Sequence, residues 1–311
     1  SRRSAVRAAP RQASVKSGRS SVASRNRSRA VAGEPVVRAV NASTIERVEN
    51  FKKQHGRVPV LTVLTVDVPA AKSYLRSLRK GASNVGVDFR EFAVNTGASQ
   101  SSVLLGIAGI NKDIEVDGIL VQTPLPEKVE LRAIGEAIDP MKDVDGISPY
   151  QAGLLFTGAK NALAPSTARA IVEILDFYNY GLQGIEVVII GRSTVVGRPF
   201  GLLAMSRNAT VTWCHTKTVS LKAVCKRAEI LVVAVGKPGM LDNSYVRPGA
   251  TVIDVGINIV DGRLVGDVDG ESMARFAAAY TPVPGGVGPV TTACLYSNLL
   301  DAAEARAGSK G

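Results

Sequence analysis

The chain has 311 residues, 45% hydrophobic and 21% charged, which suits one large or two ordinary globular domains with a sizeable core. Its formal charge of +11 points to nucleic acid only until it is located: nine basic residues and no acid fall within residues 1–33, leaving 29 basic against 27 acidic side chains elsewhere. A nearly neutral body argues against a nucleic-acid surface, and three scattered cysteines with two histidines argue against a disulfide framework or a zinc site.

Residues 1–38 form a basic tail rich in Ser, Arg, Ala and Val. It has no continuous apolar run, so it suits neither a membrane span nor a secretory signal. Its composition fits a transit peptide, for the plastid stroma first and the mitochondrion second, with a cleavage region at Val37-Arg38-Ala39. A basic tail with no address, or a nucleic-acid arm, are the alternatives.

From there helical and strand patterns alternate. A helix is expected over 44–54, with Ile45, Val48 and Phe51 at helical spacing, then a buried strand at 58–65 and a helix from about 69 to 84. Strand 87–92, helix 100–111, strand 116–122 and helix 127–138 complete a first half, 39–148. A loop-rich stretch, 148–165, leads to helix 171–180 and a short apolar strand at 185–190, the kind buried in a parallel sheet. A Gly-containing turn, a helix, and strands at 210–213, 230–235 and 251–255 make a second unit, 149–285. The final segment, 286–311, carries a long helix at 290–306 that returns to the first half. The expected fold is α/β: two doubly wound βαβ domains, the second a Rossmann-like dinucleotide-binding domain.

The strongest local signal follows the apolar strand: Ile190-Gly191-Arg192-Ser193-Thr194-Val195-Val196-Gly197-Arg198-Pro199. A strand, a Gly turn and a helix aim backbone amides at a pyrophosphate. Ser193 occupies the place of a second Gly, and no Lys-Ser/Thr pair follows Gly197, so it is neither the usual Gly-x-Gly-x-x-Gly nor a Walker loop. Alone it is equally a structural turn. The next strand ends Trp213-Cys214-His215-Thr216-Lys217, without the carboxylate that an NAD ribose usually meets. Arg192, Thr216 and Lys217 favour a 2′-phosphate, hence NADP, over two merely solvated basic side chains.

Four more segments set the context: Asp117-Gly118-Ile119-Leu120-Val121-Gln122-Thr123-Pro124-Leu125-Pro126, Lys142-Asp143-Val144-Asp145-Gly146, Val235-Gly236-Lys237-Pro238-Gly239, and Thr281-Pro282-Val283-Pro284-Gly285-Gly286-Val287-Gly288-Pro289-Val290-Thr291. In this order, with the Gly191 loop, the chain resembles the methylenetetrahydrofolate dehydrogenase/cyclohydrolase family from about Pro59 to Ala303. The resemblance implies NADP-dependent oxidation of 5,10-methylenetetrahydrofolate, with tetrahydrofolate derivatives as ligands and a homodimer, or a mixed dimer with a paralogue, as the assembly. It places Tyr74 along the pterin, Gln122 at the reacting centre and Asp145 at the pterin's amide and amino edge. Pro124, Pro284, Gly285 and Gly286 complete the substrate side. Gly191, Arg192, Ser193, Val196, Gly197, His215, Thr216, Gly236 and Ile257 form the cofactor side.

One departure bears on chemistry. The family pattern Pro-Ala-Ser-x-x-Tyr-Val-x-x-Lys-x-Lys aligns with Pro69 to Lys80, so the reactive Lys falls on Leu78 and the Ser on Ala71. Lys80 matches the second, structural Lys, about 200° around a helix from Leu78. Pro165-Ser166-Thr167-Ala168-Arg169-Ala170 likewise replaces Pro-Cys-Thr-Pro-x-Gly. These changes put the hydrolytic step, methenyl- to 10-formyltetrahydrofolate, in question. They leave three readings: a dehydrogenase with reduced hydrolysis, a bifunctional enzyme helped by Arg76 or Arg79, or a non-catalytic binding paralogue.

Overall fold

Residues 28–308 are described by a computed structural model. The chain enters through a two-residue strand, β1 (Arg29–Ala30), and a helix, α1 (Gly33–His55). The first lobe then alternates β2 (Val60–Val66), α2 (Pro69–Val85), β3 (Asp88–Val94), α3 (Gln100–Lys112), β4 (Gly118–Val121) and α4 (Leu131–Ala137). Its sheet is parallel, in the order β3-β2-β4. Every β2 residue is buried because helices cover both faces: Leu61 and Val63 pack toward α2, while Val60 and Leu64 pack toward α3 and α4. Helix α2 starts on Pro69 and stops where Gly86 turns to φ 82°, its N–H donating to the Ala82 carbonyl.

The second lobe runs through α5 (Pro149–Phe156), α6 (Ser166–Phe177), β5 (Glu186–Ile190), α7 (Gly197–Ser206), β6 (Thr210–Cys214), α8 (Leu221–Cys225), β7 (Ile230–Val233) and β8 (Thr251–Asp254). An antiparallel hairpin, β9 (Asn258–Val260) with β10 (Arg263–Val265), precedes α9 (Gly270–Phe276) and β11 (Ala279–Tyr280). The large sheet is parallel throughout, in the order β1-β11-β8-β7-β5-β6. Helix α10 (Val287–Gly308) then returns and packs on α1, α2 and α6, with twelve of its residues buried. Among the described residues no helix is long and apolar enough to cross a membrane.

Four expectations change. The first helix begins at Gly33 rather than 44, since Val36, Thr44, Val48 and Phe51 continue one buried stripe. Thr44 hides that continuity in the sequence: it is polar, yet fully enclosed, with its hydroxyl donating to the Val40 carbonyl at 2.9 Å. The tail boundary at 38, with cleavage at Val37-Arg38-Ala39, therefore falls inside α1. Residues 28–38 belong to the fold: β1 pairs with β11, and Val31 and Val36 are buried in the second lobe's core. Residues 1–27, which carry the rest of the transit reading, lie outside the described residues. The 148–165 loop also contains a helix, α5, and the β9–β10 hairpin was not expected.

Helix α10 is held by charged contacts as well as packing. The Arg169 guanidinium on α6 donates to Asn298 Oδ1 at 2.6 Å, Ser297 Oγ at 2.8 Å and Asp301 at 2.5 Å. Arg47 on α1 donates to Asp301 and Glu304. Asn298, fully buried, donates to the carbonyls of Val144 and Ala164 at 2.8 and 2.9 Å.

A chain starting at Ala39 should be less stable than one starting at Ser28, because it loses β1 and two fully buried valines worth roughly 1.5–3 kcal/mol each. The expected difference is about 5 °C or more in thermal midpoint. Equal midpoints would show that β1 and the first turns of α1 are dispensable.

Candidate active site

A cleft of about 460 Å³ runs between α2 and the second lobe. Tyr74 stands on its α2 wall, Pro284, Gly285 and Gly286 on the loop opposite, and Ile257 beyond the end of β8. Tyr296 of α10 forms its floor; the tyrosine hydroxyl donates to the Leu78 carbonyl, and Gly81 leaves room for the ring, since a Cβ there would come within 2.8 Å of it. Burial, and then the neighbouring Asp145 charge, push the Tyr74 phenol up to about 12, so it stays protonated at neutral pH.

Asp145 sits between α4 and α5 and accepts from the Ser166 amide at 3.3 Å. Burial raises its carboxyl to about 6, with the Ser166 hydroxyl and amide pulling in the other direction. Gln122, at the end of β4, is only 3% exposed. Its Oε1 accepts from Thr65 Oγ1 at 2.9 Å and its Nε2 donates to the Ala71 carbonyl at 2.8 Å. The amide is thus fixed against the first turn of α2, with one N–H and one lone pair left over. Gln122, Asp145 and Pro124 do not line the 460 Å³ cleft; Pro124 is exposed and follows a cis bond from Thr123.

Leu78 has no accessible surface and packs among Leu61, Val63, Leu120, Tyr296 and Leu299. An apolar side chain there is satisfied by its neighbours, whereas an amine would need a partner or water. Neither arginine turns inward to replace it. Arg79 pairs with Glu91 and stacks over Phe89, and Arg76 lines a separate cavity beside Thr65, Lys72 and Arg79. Lys80, matched in sequence to a structural lysine, is instead exposed at the cleft.

The cofactor-side residues all follow the carboxyl ends of neighbouring strands. Gly191 to Gly197 link β5 to α7, His215 and Thr216 follow β6, Gly236 follows β7 and Ile257 follows β8. This is the edge where open parallel sheets bind nucleotides. Both glycines are required: a Cβ on Gly191, at φ 126°, would lie 2.3 Å from the Ala234 carbonyl oxygen, and one on Gly197 would lie 2.2 Å from that of Gly191. Ser193 Oγ accepts from the Val196 amide at 3.1 Å, doing by side chain what a second Gly does by backbone freedom. Arg192 and Thr216 are exposed, and His215 is oriented by the Lys217 amide, which donates to its Nδ1 at 3.1 Å.

Asp267 was not singled out in the sequence. Its carboxylate accepts from the consecutive amides of Val235, Gly236 and Lys237 at 2.6–2.9 Å and from Asn258 Nδ2 at 2.9 Å. It shapes the whole loop after β7. Asp254 accepts from the amides of Gly256, Asp267 and Val268, and burial pushes its carboxyl up to about 6. Two carboxylates in Asp267-Val268-Asp269 were the available signal, but Asp269 caps α9 locally while the targets of Asp267 lie 30 to 32 residues away in the chain. No group of acids, histidines and cysteines among the described residues is arranged to hold a metal.

A dinucleotide-type sheet edge facing a cleft walled by a tyrosine, with the half-buried Asp145 near that tyrosine, defines a two-lobed α/β dehydrogenase. Two family profiles match: "Tetrahydrofolate dehydrogenase/cyclohydrolase, catalytic domain" over residues 31–145 and the "NAD(P)-binding domain" of the same family over 165–307. The chain belongs to the tetrahydrofolate dehydrogenase/cyclohydrolase family. It is 43% identical over 276 residues to the bifunctional protein FolD of Sorangium cellulosum, covering 88% of this chain and 96% of that one. Among solved structures it resembles the bifunctional FolD enzyme of Campylobacter jejuni, with TM-score 0.86 and 36% identity over 89% of this chain and 98% of the other. The Trypanosoma brucei enzyme, solved with NADP cofactor and inhibitor, gives TM-score 0.83 and 32% identity over 90% and 98%.

Proposed function

We propose that the chain oxidises 5,10-methylenetetrahydrofolate to the methenyl form with NADP, and that its hydrolytic step is weak. What supports this is a dinucleotide-type sheet edge beside a cleft walled by Tyr74, with Asp145 near that tyrosine and Gln122 held on the first turn of α2, together with a fully buried Leu78. The sheet edge fits NADP: two glycines let the β5–α7 turn close tightly at the start of a helix, Arg192 is exposed on that turn, and no carboxylate follows β6. When bound, NADP supplies the acceptor for a hydride. The chain's own part is positional. Ionised Asp145 accepts from the two N–H donors at the pterin edge, the protonated Tyr74 lies along the ring system, and the fixed amide of Gln122 presents its remaining N–H or lone pair at the bridging carbon. Loss of hydride there leaves a cation shared by two nitrogens, which needs no strong base. Opening that cation with water does need proton transfer, and Leu78 offers none.

A second copy of the chain is the proposed partner, supported by the apolar hairpin β9–β10, where Ile259 is 76% exposed. A monomeric mass by light scattering would refute it. A mixed dimer with a paralogue is the variant of this reading. Delivery to the plastid stroma, or second to the mitochondrion, is proposed from residues 1–27 alone; a reporter fused behind them that stays in the cytosol would refute it.

Three outcomes test the assignment. Arg192→Ala should raise the KM for NADP at least about tenfold more than that for NAD, because a charge-assisted phosphate contact is lost; equal losses would sink the NADP reading. Wild-type protein should hydrolyse methenyltetrahydrofolate roughly a hundredfold or more below its dehydrogenase rate. Matched rates would refute the role given to Leu78, and no dehydrogenase activity would favour a binding paralogue.

The third concerns pH. Binding requires ionised Asp145, whose carboxyl titrates at about 6, so protonation below that value removes the acceptor. Tetrahydrofolate affinity should be flat above pH 7 and fall, by up to roughly tenfold per unit, below 6. Asp145→Asn should bind weakly with a flat profile. An Asn variant that keeps the wild-type slope would assign the titration elsewhere.

A further inference from the structure

Asp254, the last residue of β8, lines the cleft from the second lobe and is only 5% exposed. Its carboxylate accepts from the amides of Gly256, Asp267 and Val268 at 2.9–3.1 Å. Asp267, fully buried, accepts in turn from three amides of the loop after β7 and from Asn258 Nδ2 at 2.6–2.9 Å. Among the described residues neither carboxylate pairs with a lysine or arginine; every partner is a neutral N–H. Amides satisfy the oxygens but bring no net charge, and buried charges are ordinarily paired. The strand order β8-β7-β5-β6 says what lies opposite. With a 2′-phosphate after β6 and a pyrophosphate at the β5–α7 turn, a dinucleotide laid along this edge brings its other end to β7 and β8. That end is the nicotinamide, a cation when oxidised and neutral when reduced.

We infer that Asp254, together with Asp267, sets the redox preference of the cofactor site: the pair favours the oxidised nicotinamide, the cation it otherwise lacks, over the reduced ring. This rests on the NADP reading above. Neither carboxylate gives or takes a proton. A hydride reaching the ring cancels its positive charge, so the pair that draws NADP in holds NADPH less firmly. The enclosure of both carboxylates strengthens the effect, because little water screens them. The preference belongs to cofactor binding and exchange, not to the transfer itself.

The test measures dissociation constants of the purified full chain for NADP and NADPH by calorimetry, without folate. The readout is the NADPH constant divided by the NADP constant, in which the shared phosphate and adenosine contacts cancel. Asp254→Asn should lower this ratio at least about tenfold. Because asparagine cannot accept from all three amides, the wild-type pH profile gives a second measurement that needs no variant to fold. Burial raises the Asp254 carboxyl to about 6, with its three amides pulling it down and Asp267 adding to the rise. It is charged above that value and neutral below it. The wild-type ratio should therefore be level above pH 7 and fall roughly threefold or more by pH 5.5. The ionisable groups around Asp254 are Asp267, Asp269, Glu271 and Tyr280 on its own lobe, with Tyr74 and Lys80 across the cleft. Asp145 also titrates at about 6, and Asp145→Asn should retain the fall. A ratio that stays level to pH 5.5, a fall that vanishes in Asp145→Asn, or an unchanged ratio in a folded Asp254→Asn would overturn the inference and leave the NADP reading intact. Failure of wild type to bind either form would overturn the NADP reading itself.

Discussion

Asn298 on α10 donates to the carbonyls of Val144 and Ala164 while accepting from Arg169. Those two carbonyls belong to the residues just before Asp145 and just before Pro165-Ser166, so one buried side chain holds both halves of the Asp145–Ser166 contact. Arg169 in turn is held by Ser297 and Asp301, and Asp301 by Arg47. Burying this network is tolerable because its members satisfy one another; opening one contact would leave desolvated groups unpaired. Helix α10 belongs to neither sheet, yet the distance between the two lobes' functional edges depends on it.

The two edges are built by different means. On the cofactor side, backbone dominates: glycines permit close approach, and the Asp267 carboxylate gathers three consecutive amides into one loop. On the folate side, side chains dominate, and their state follows from enclosure. Desolvation brings the Asp145 carboxyl to about 6, while the Tyr74 phenol, on a residue 43% exposed, is protonated at neutral pH. Gln122 is fixed by contacts at both ends of its amide, so its reach is limited but its direction is certain.

Leu78 shows how a substitution at a reactive position can be stable. A buried ammonium must be compensated, whereas leucine gains from the same enclosure. The carbonyl of Leu78 also accepts the Tyr296 hydroxyl, so its backbone helps form the cleft floor. Leucine at this position is satisfied by packing alone.

The alternation of strands and helices, the Gly191–Gly197 turn and the order of the Pro/Gly-rich segments were legible in the sequence, because period, turn chemistry and strand-to-helix spacing are local properties. They determined the α/β class, the dinucleotide edge and the positions of Tyr74, Gln122 and Asp145 along the chain. Tertiary structure alone decided three matters. It drew residues 28–38 into the fold through β1–β11 pairing, a contact spanning some 250 positions that no local pattern encodes. It showed Asp267 and Asn298 to be organisers, since a carboxylate or amide in sequence carries no sign of which distant backbone groups it will satisfy. It also turned Lys80 toward the cleft and Arg79 toward Glu91, because the face a helical residue presents has meaning only once the neighbouring elements are in place.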